Sequence, residues 1–124
     1  MGVPVLVLLH AEGWSARYQA VAVALTAAAF GDRVMLALSG PALEAWAAGR
    51  FDRGAPPGAE AARVGSLAAM LDDGRRGLGL ELVACETALR LAGLDPEGAR
   101  HLLDGIRSLP DQWAHGSGGR VLSF

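Results

Sequence analysis

Residues 3–9, VPVLVLL, are almost wholly aliphatic and too few for a helix of ordinary length. Such a run predicts a strand buried on both faces. HAEGWS follows as a loop, and Ser15 is placed to cap a helix over residues 16–30. That helix, ARYQAVAVALTAAAF, is apolar on most of its circumference. It therefore needs deep burial, or a second subunit in addition to its own sheet. Gly31 stands where a helix exit favours glycine.

The same alternation continues. RVMLAL, residues 33–38, predicts a second strand, and Ser39-Gly40 leads to Pro41 in the first turn of a helix through ALEAWAAGRF. FDRGAPPGAE, residues 51–60, reads as a surface loop or lid. A helix over about 61–71 is expected to stop at DDGRRG, residues 72–77, and LGLELVA, residues 78–84, to form the third strand. ETALRLAG predicts a short helix, and Asp95-Pro96 supplies a cap and a first-turn proline for another, running to about residue 103. GIRSL (105–109) and RVLSF (120–124) complete the set as strands. Strands alternating with helices predict an α/β fold, a parallel sheet with helices on both faces.

Composition narrows the class. A chain of 124 residues, 52% hydrophobic and 19% charged, predicts one globular domain spanning 1–124. All eleven basic residues are arginine, yet the net charge is −2 and no basic stripe occurs, so nucleic acid is not an expected partner. No run approaches the ~20 apolar residues of a membrane span, and the N-terminus lacks the basic region of a signal peptide. A single cysteine cannot form an internal disulfide. Together these predict a soluble, cytoplasmic protein with no membrane partner.

In open α/β sheets, ligands sit beyond the carboxyl ends of the strands. His10, Ser39 and Cys85 follow the first, second and third predicted strands, so all three fall on that edge. DDGRRG falls at the opposite edge and reads as a solvated helix exit rather than a phosphate loop. Cys85 also stands at a predicted helix start, where unpaired N–H groups and the helix dipole favour a thiolate. The competing reading makes it a small buried hydrophobe. Glu86 is either a helix-favouring first-turn acid or a like charge opposing the thiolate. His10 is either an imidazolium or base beside the sulfur, or a loop residue bonded to a carbonyl. Trp14 packs, or lines a crevice or a subunit contact, and Ser39 and Trp14 are the candidate substrate-binding residues. His101 and His115 read as surface residues, in a helix and a Gly-rich loop. No His, Cys or acidic pair has metal-ligand spacing, and GSGG at 116–119 precedes no helix, so neither metal nor cofactor is expected.

At VACETALRLAGLDPE the pattern A-C-x-x-A-L-x-L-x-G-L after an apolar strand resembles the cysteine motif of the DsrE/DsrF-like family, which includes the TusD-type sulfur relay proteins. The first strand, long helix and second strand, the helix leading into the cysteine strand, and GGRVLSF at the end are similar to that family's landmarks in order, so the resemblance covers nearly the whole chain. It implies a three-layer α/β/α sandwich with a mostly parallel five-stranded sheet, often assembled as trimers or hexamers. In the relay members the motif cysteine carries sulfur as a persulfide, and Cys85 matches it. The chain departs from them in a Pro/Gly loop at 54–58 and in HGSGG where a fuller last helix is usual. Three functions follow as expectations. The first is a sulfurtransferase-type carrier with sulfur donor and acceptor proteins as partners. The others are a thiol peroxidase or redox sensor using Cys85 with an external thiol, and a non-enzymatic small-ligand or oligomerisation module.

Overall fold

The aliphatic runs pair with one another because each buries both of its faces only inside a sheet. The computed structural model describes residues 2–124. Its strands are β1 (Pro4–Leu9), β2 (Arg33–Leu38), β3 (Glu81–Ala84), β4 (Gly105–Ile106) and β5 (Arg120–Ser123). Its helices are α1 (Trp14–Ala29), α2 (Gly40–Ala47), α3 (Gly58–Ala61), α4 (Leu67–Gly77), α5 (Glu86–Leu91), α6 (Pro96–Ala99) and α7 (Leu109–Gly116). The strand order is β4-β3-β2-β1-β5, and every pairing is parallel. Pro4–Leu9 lies in continuous register with Arg33–Leu38 at the centre.

Alternate side chains of the strands go to opposite layers. Val5, Val7, Leu9, Val34, Leu36, Leu38 and Leu82 pack under α1, α2, α4 and α5 in the main core. Leu6, Met35, Ala37 and Val83 form a smaller core on the other face, where α7 packs across β1 and β2. The result is a three-layer α/β/α sandwich with unequal outer layers.

Several boundaries differ from those the sequence predicts. α1 begins at Trp14 with Gly13 as its N-cap, so Ser15 lies inside the helix and caps nothing. DDGRRG is not an exit but the second half of α4, which starts late because Ser66 caps it, accepting from Ala69 N–H at 3.1 Å. Two ion pairs one helical turn apart, Asp72–Arg75 and Asp73–Arg76, keep this segment helical. The third strand is shorter than expected, because Gly79 takes a left-handed φ of 69° and delays pairing to Glu81. Residues 109–116, expected as the end of a strand and a Gly-rich loop, form α7, capped by Ser108 with Pro110 in the first turn. His115 therefore ends a helix, its Nε2 lying 2.9 Å from the Arg33 carbonyl. The glycines after it let the chain turn back tightly. A Cβ on Gly119 would stand 1.8 Å from the Pro4 carbonyl oxygen, so only glycine lets β5 dock beside β1.

Two buried or half-buried charges tie the layers together. Arg17, 4% exposed, donates from Nε to Phe51 O at 2.8 Å and from its terminal nitrogens to Glu12 O and Arg53 O. Burial pulls its guanidinium below the ordinary value, against the opposing charges of Asp52 and Glu12; at neutral pH it stays protonated. Arg75 forks onto Asp104 with two contacts of 2.9 Å, and the same carboxylate accepts from Leu82 N–H at 2.8 Å. Burial works to raise the Asp104 carboxyl, but the hydrogen bonds from Arg75 and Leu82 outweigh it and hold it below the usual carboxylate range.

A carboxyl depressed in the folded state stabilises above its unfolded pKa of ~3.9, and that contribution is lost as pH falls through the folded value. Asp104→Asn should therefore lower stability at pH 7 by about 1 kcal/mol, discounted for partial exposure. In urea titrations the difference from wild type should shrink as pH is taken from 7 to below the unfolded value of ~3.9 and on through the lower folded value. An equal penalty at both ends of that range would show that charge is not the cause.

Candidate functional site

Right-handed crossovers decide where a crevice forms. The connections β1 to β2, β2 to β3 and β3 to β4 all advance in one direction across the sheet, so α1 through α6 lie on one face. The connection from β4 returns past three strands to β5, which sends α7 to the other face. The chain thus leaves β3 and β4, which are neighbours, toward opposite faces. That divergence is the topological switch point at which open sheets bind ligands.

Cys85 stands there. It follows β3 directly and is the N-cap of α5, with extended φ and ψ of −86° and 158°. Its sulfur accepts from Ala88 N–H at 3.2 Å, the position usually taken by a serine or aspartate oxygen. The residue is half-buried, and its side chain packs against the main core. The Ala88 amide thus points at the sulfur of a residue that is only partly covered. Across the crevice, Arg107 N–H donates to Ala84 O at 3.0 Å, and the Arg107 guanidinium turns back to pair with Glu81 at 2.8 Å. Ser108 beside it caps α7, accepting from Asp111 N–H at 3.2 Å. Two helices therefore start from the flanks of the crevice. Sequence reasoning missed Arg107 and Ser108, although S-L-P-D carries a capping serine with proline in the first turn.

The other candidates fall in three places. His10 and Ser39 come together on the same sheet edge, His10 Nδ1 lying 3.0 Å from Ser39 Oγ. The imidazole lies over Gly40, where a Cβ would stand 2.3 Å from ring carbon Cε1, and Gly40 has a φ of 52°. With β2 between β1 and β3, His10 stands two strands from Cys85, about 10 Å at the usual spacing. Glu86 pairs along α5 with Arg90 at 3.0 Å, both side chains well exposed, so its carboxylate has a cation of its own. Trp14 stacks on Tyr18 at 5.4 Å and lines a separate cleft that does not include Cys85.

No family model matches the sequence, and no curated protein matches it. Among solved structures, the ychN protein from E. coli is similar over 100% of both chains, with a TM-score of 0.65 and 20% identity. That likeness is one of fold alone.

Because serine caps helices as well as a sulfur acceptor does, Cys85→Ser should change stability by less than about 0.5 kcal/mol. Cys85→Ala, which removes the acceptor, should cost about 1 kcal/mol. Urea midpoints for the two variants check this, and equal losses would show that the sulfur contributes packing rather than a cap.

Proposed function

We propose that the protein is a sulfur carrier that holds a persulfide on Cys85. The observation that supports this best is the placement of the one thiol of the chain as the N-cap of α5, half-buried, at the point where β3 and β4 send their helices to opposite faces. The Cys85 thiolate attacks the outer sulfur of a donor persulfide. A bond forms between Sγ and that sulfur, the donor's S–S bond breaks, and the donor leaves as a thiolate. An acceptor thiolate then takes the outer sulfur by the same displacement and restores Cys85, with no net oxidation. The amide of Ala88 is positioned to stabilise charge on Sγ as the attacking thiolate of the first step and as the leaving group of the second. The resemblance of the A-C-x-x-A-L motif to the DsrE/DsrF-like cysteine motif supports the same reading, and a cytoplasmic setting, where thiols stay reduced, suits the exchange.

Intact mass after incubation with a persulfide donor tests it. Wild type should gain one sulfur atom, removable by a thiol reductant, and Cys85→Ser should gain none. If wild type instead gains oxygen under mild peroxide and never sulfur, Cys85 is a peroxidatic or sensing thiol.

The same reading includes assembly as a homo-oligomer, a trimer or hexamer. Tyr18, Val23, Ala27 and Phe30 of the α1 flank form an apolar groove with Leu122 of the edge strand β5, and Phe30 is 84% exposed. A second copy would cover both that groove and the open strand edge. Light scattering at micromolar concentration should give a multiple of the chain mass for wild type and a smaller species for Phe30→Glu; a wild-type monomer would overturn the assembly.

A further inference from the structure

A cleft of about 520 Å³ opens between the β1–α1 loop, α2 and the segment that follows α2. Its lining includes Glu12, Trp14, Arg17, Glu44, Arg50 and Arg53, and Cys85 is not part of it. Arg17 lies at its base, 4% exposed. All three of the Arg17 hydrogen-bond acceptors are backbone carbonyls, which satisfy the N–H groups without neutralising the charge. Of the two acids whose charge bears on the guanidinium, the Asp52 carboxylate accepts from Ser66 Oγ at 2.6 Å and from Leu67 N–H, at the start of α4, and Glu12 lines the cleft itself. Neither acid is hydrogen-bonded or ion-paired to the guanidinium by its carboxylate among the described residues, and the side on which a further anion can approach it is the cleft.

Three further features point the same way. Arg50 and Arg53 line the cleft and, among the described residues, neither takes part in an ion pair. The sixteen-residue helix α1 starts at the cleft with Gly13, which offers no side-chain cap, and its first turn holds no acid. The N–H groups of that turn have no side-chain acceptor, and Gly13 and Trp14 at its start line the cleft. Against these stand Glu12 and Glu44, two carboxylates that also line the cleft and take part in no ion pair among the described residues.

From this arrangement we infer that the cleft binds a phosphate monoester of a small hydroxylated molecule. Guanidinium groups and a helix start match the several oxygens of a phosphate, each arginine able to fork onto two of them. The cleft lies within the size range of small-molecule sites and exceeds what a bare oxyanion fills. Glu12 and Glu44 accept hydrogen bonds from the hydroxyls of the organic part and disfavour ligands carrying further negative groups. The indole of Trp14 supplies a flat apolar wall.

Calorimetric titration of the full chain with ribose 5-phosphate, inorganic phosphate and ribose tests this assignment. Ribose 5-phosphate should bind saturably and more tightly than inorganic phosphate, ribose should give no heat, and added salt should weaken the binding. Arg50→Gln/Arg53→Gln alters exposed side chains and should weaken binding about tenfold or more without lowering the melting temperature. The inference is overturned if neither phosphate binds up to millimolar concentration, or if the double variant binds as wild type does. Equal affinity for inorganic phosphate and the ester would overturn the organic part of the assignment.

Discussion

A parallel sheet cannot be closed by hairpins: each strand must be reached by a crossover, and crossovers in a right-twisted sheet are right-handed. In this chain that constraint fixes both the shape and the address of the chemistry. Three successive crossovers step the same way and load α1–α6 onto one face. The fourth must return past three strands, and its helix α7 becomes the second outer layer. One pair of neighbouring strands, β3 and β4, is thereby left with diverging exits. The thiol of Cys85 stands at that divergence because it ends β3, not because a local motif builds a pocket around it.

Helix starts do most of the remaining positioning. Ser66, Cys85, Asp95 and Ser108 each accept an N–H from three residues ahead, and each sets where its helix begins relative to the sheet. Cys85 is the unusual member, since its cap is a sulfur on a half-buried residue. α1 is the converse case: without a side-chain cap, it leaves its first turn unpaired at a cleft held open by the Arg17 clamp. One sheet edge thus offers a sulfur at one helix start and a cationic recess at another, and the two need not share a ligand.

Much of the architecture was legible in the pattern of residues. The aliphatic runs at 4–9 and 33–38 name the two central strands, because only a strand buried on both faces tolerates so little polarity. A cysteine between an apolar run and ETALRL marks a strand-to-helix junction, and the strands' carboxyl ends place His10, Ser39 and Cys85 on one edge. The segment at 109–116 was misread, because its leucine, proline and glycines resemble a strand end and a loop while its helix depends on a cap at Ser108. DDGRRG was misread for a related reason. Its helicity rests on Asp72–Arg75 and Asp73–Arg76 pairs and on Asp104, twenty-nine residues beyond Arg75.

By itself, then, the sequence determined the fold class, the central strands and the edge on which its one thiol lies, since periodicity and strand ends are local properties. Only the tertiary structure decided strand order, and with it which side chains share a site. It joined His10 to Ser39, gave Glu86 a partner in Arg90, and set Trp14 beside Arg17 in a cleft apart from the sulfur. Those outcomes depend on contacts between residues far apart in the chain, whose pairing follows from crossover handedness and layer packing, and neither is written in any one segment.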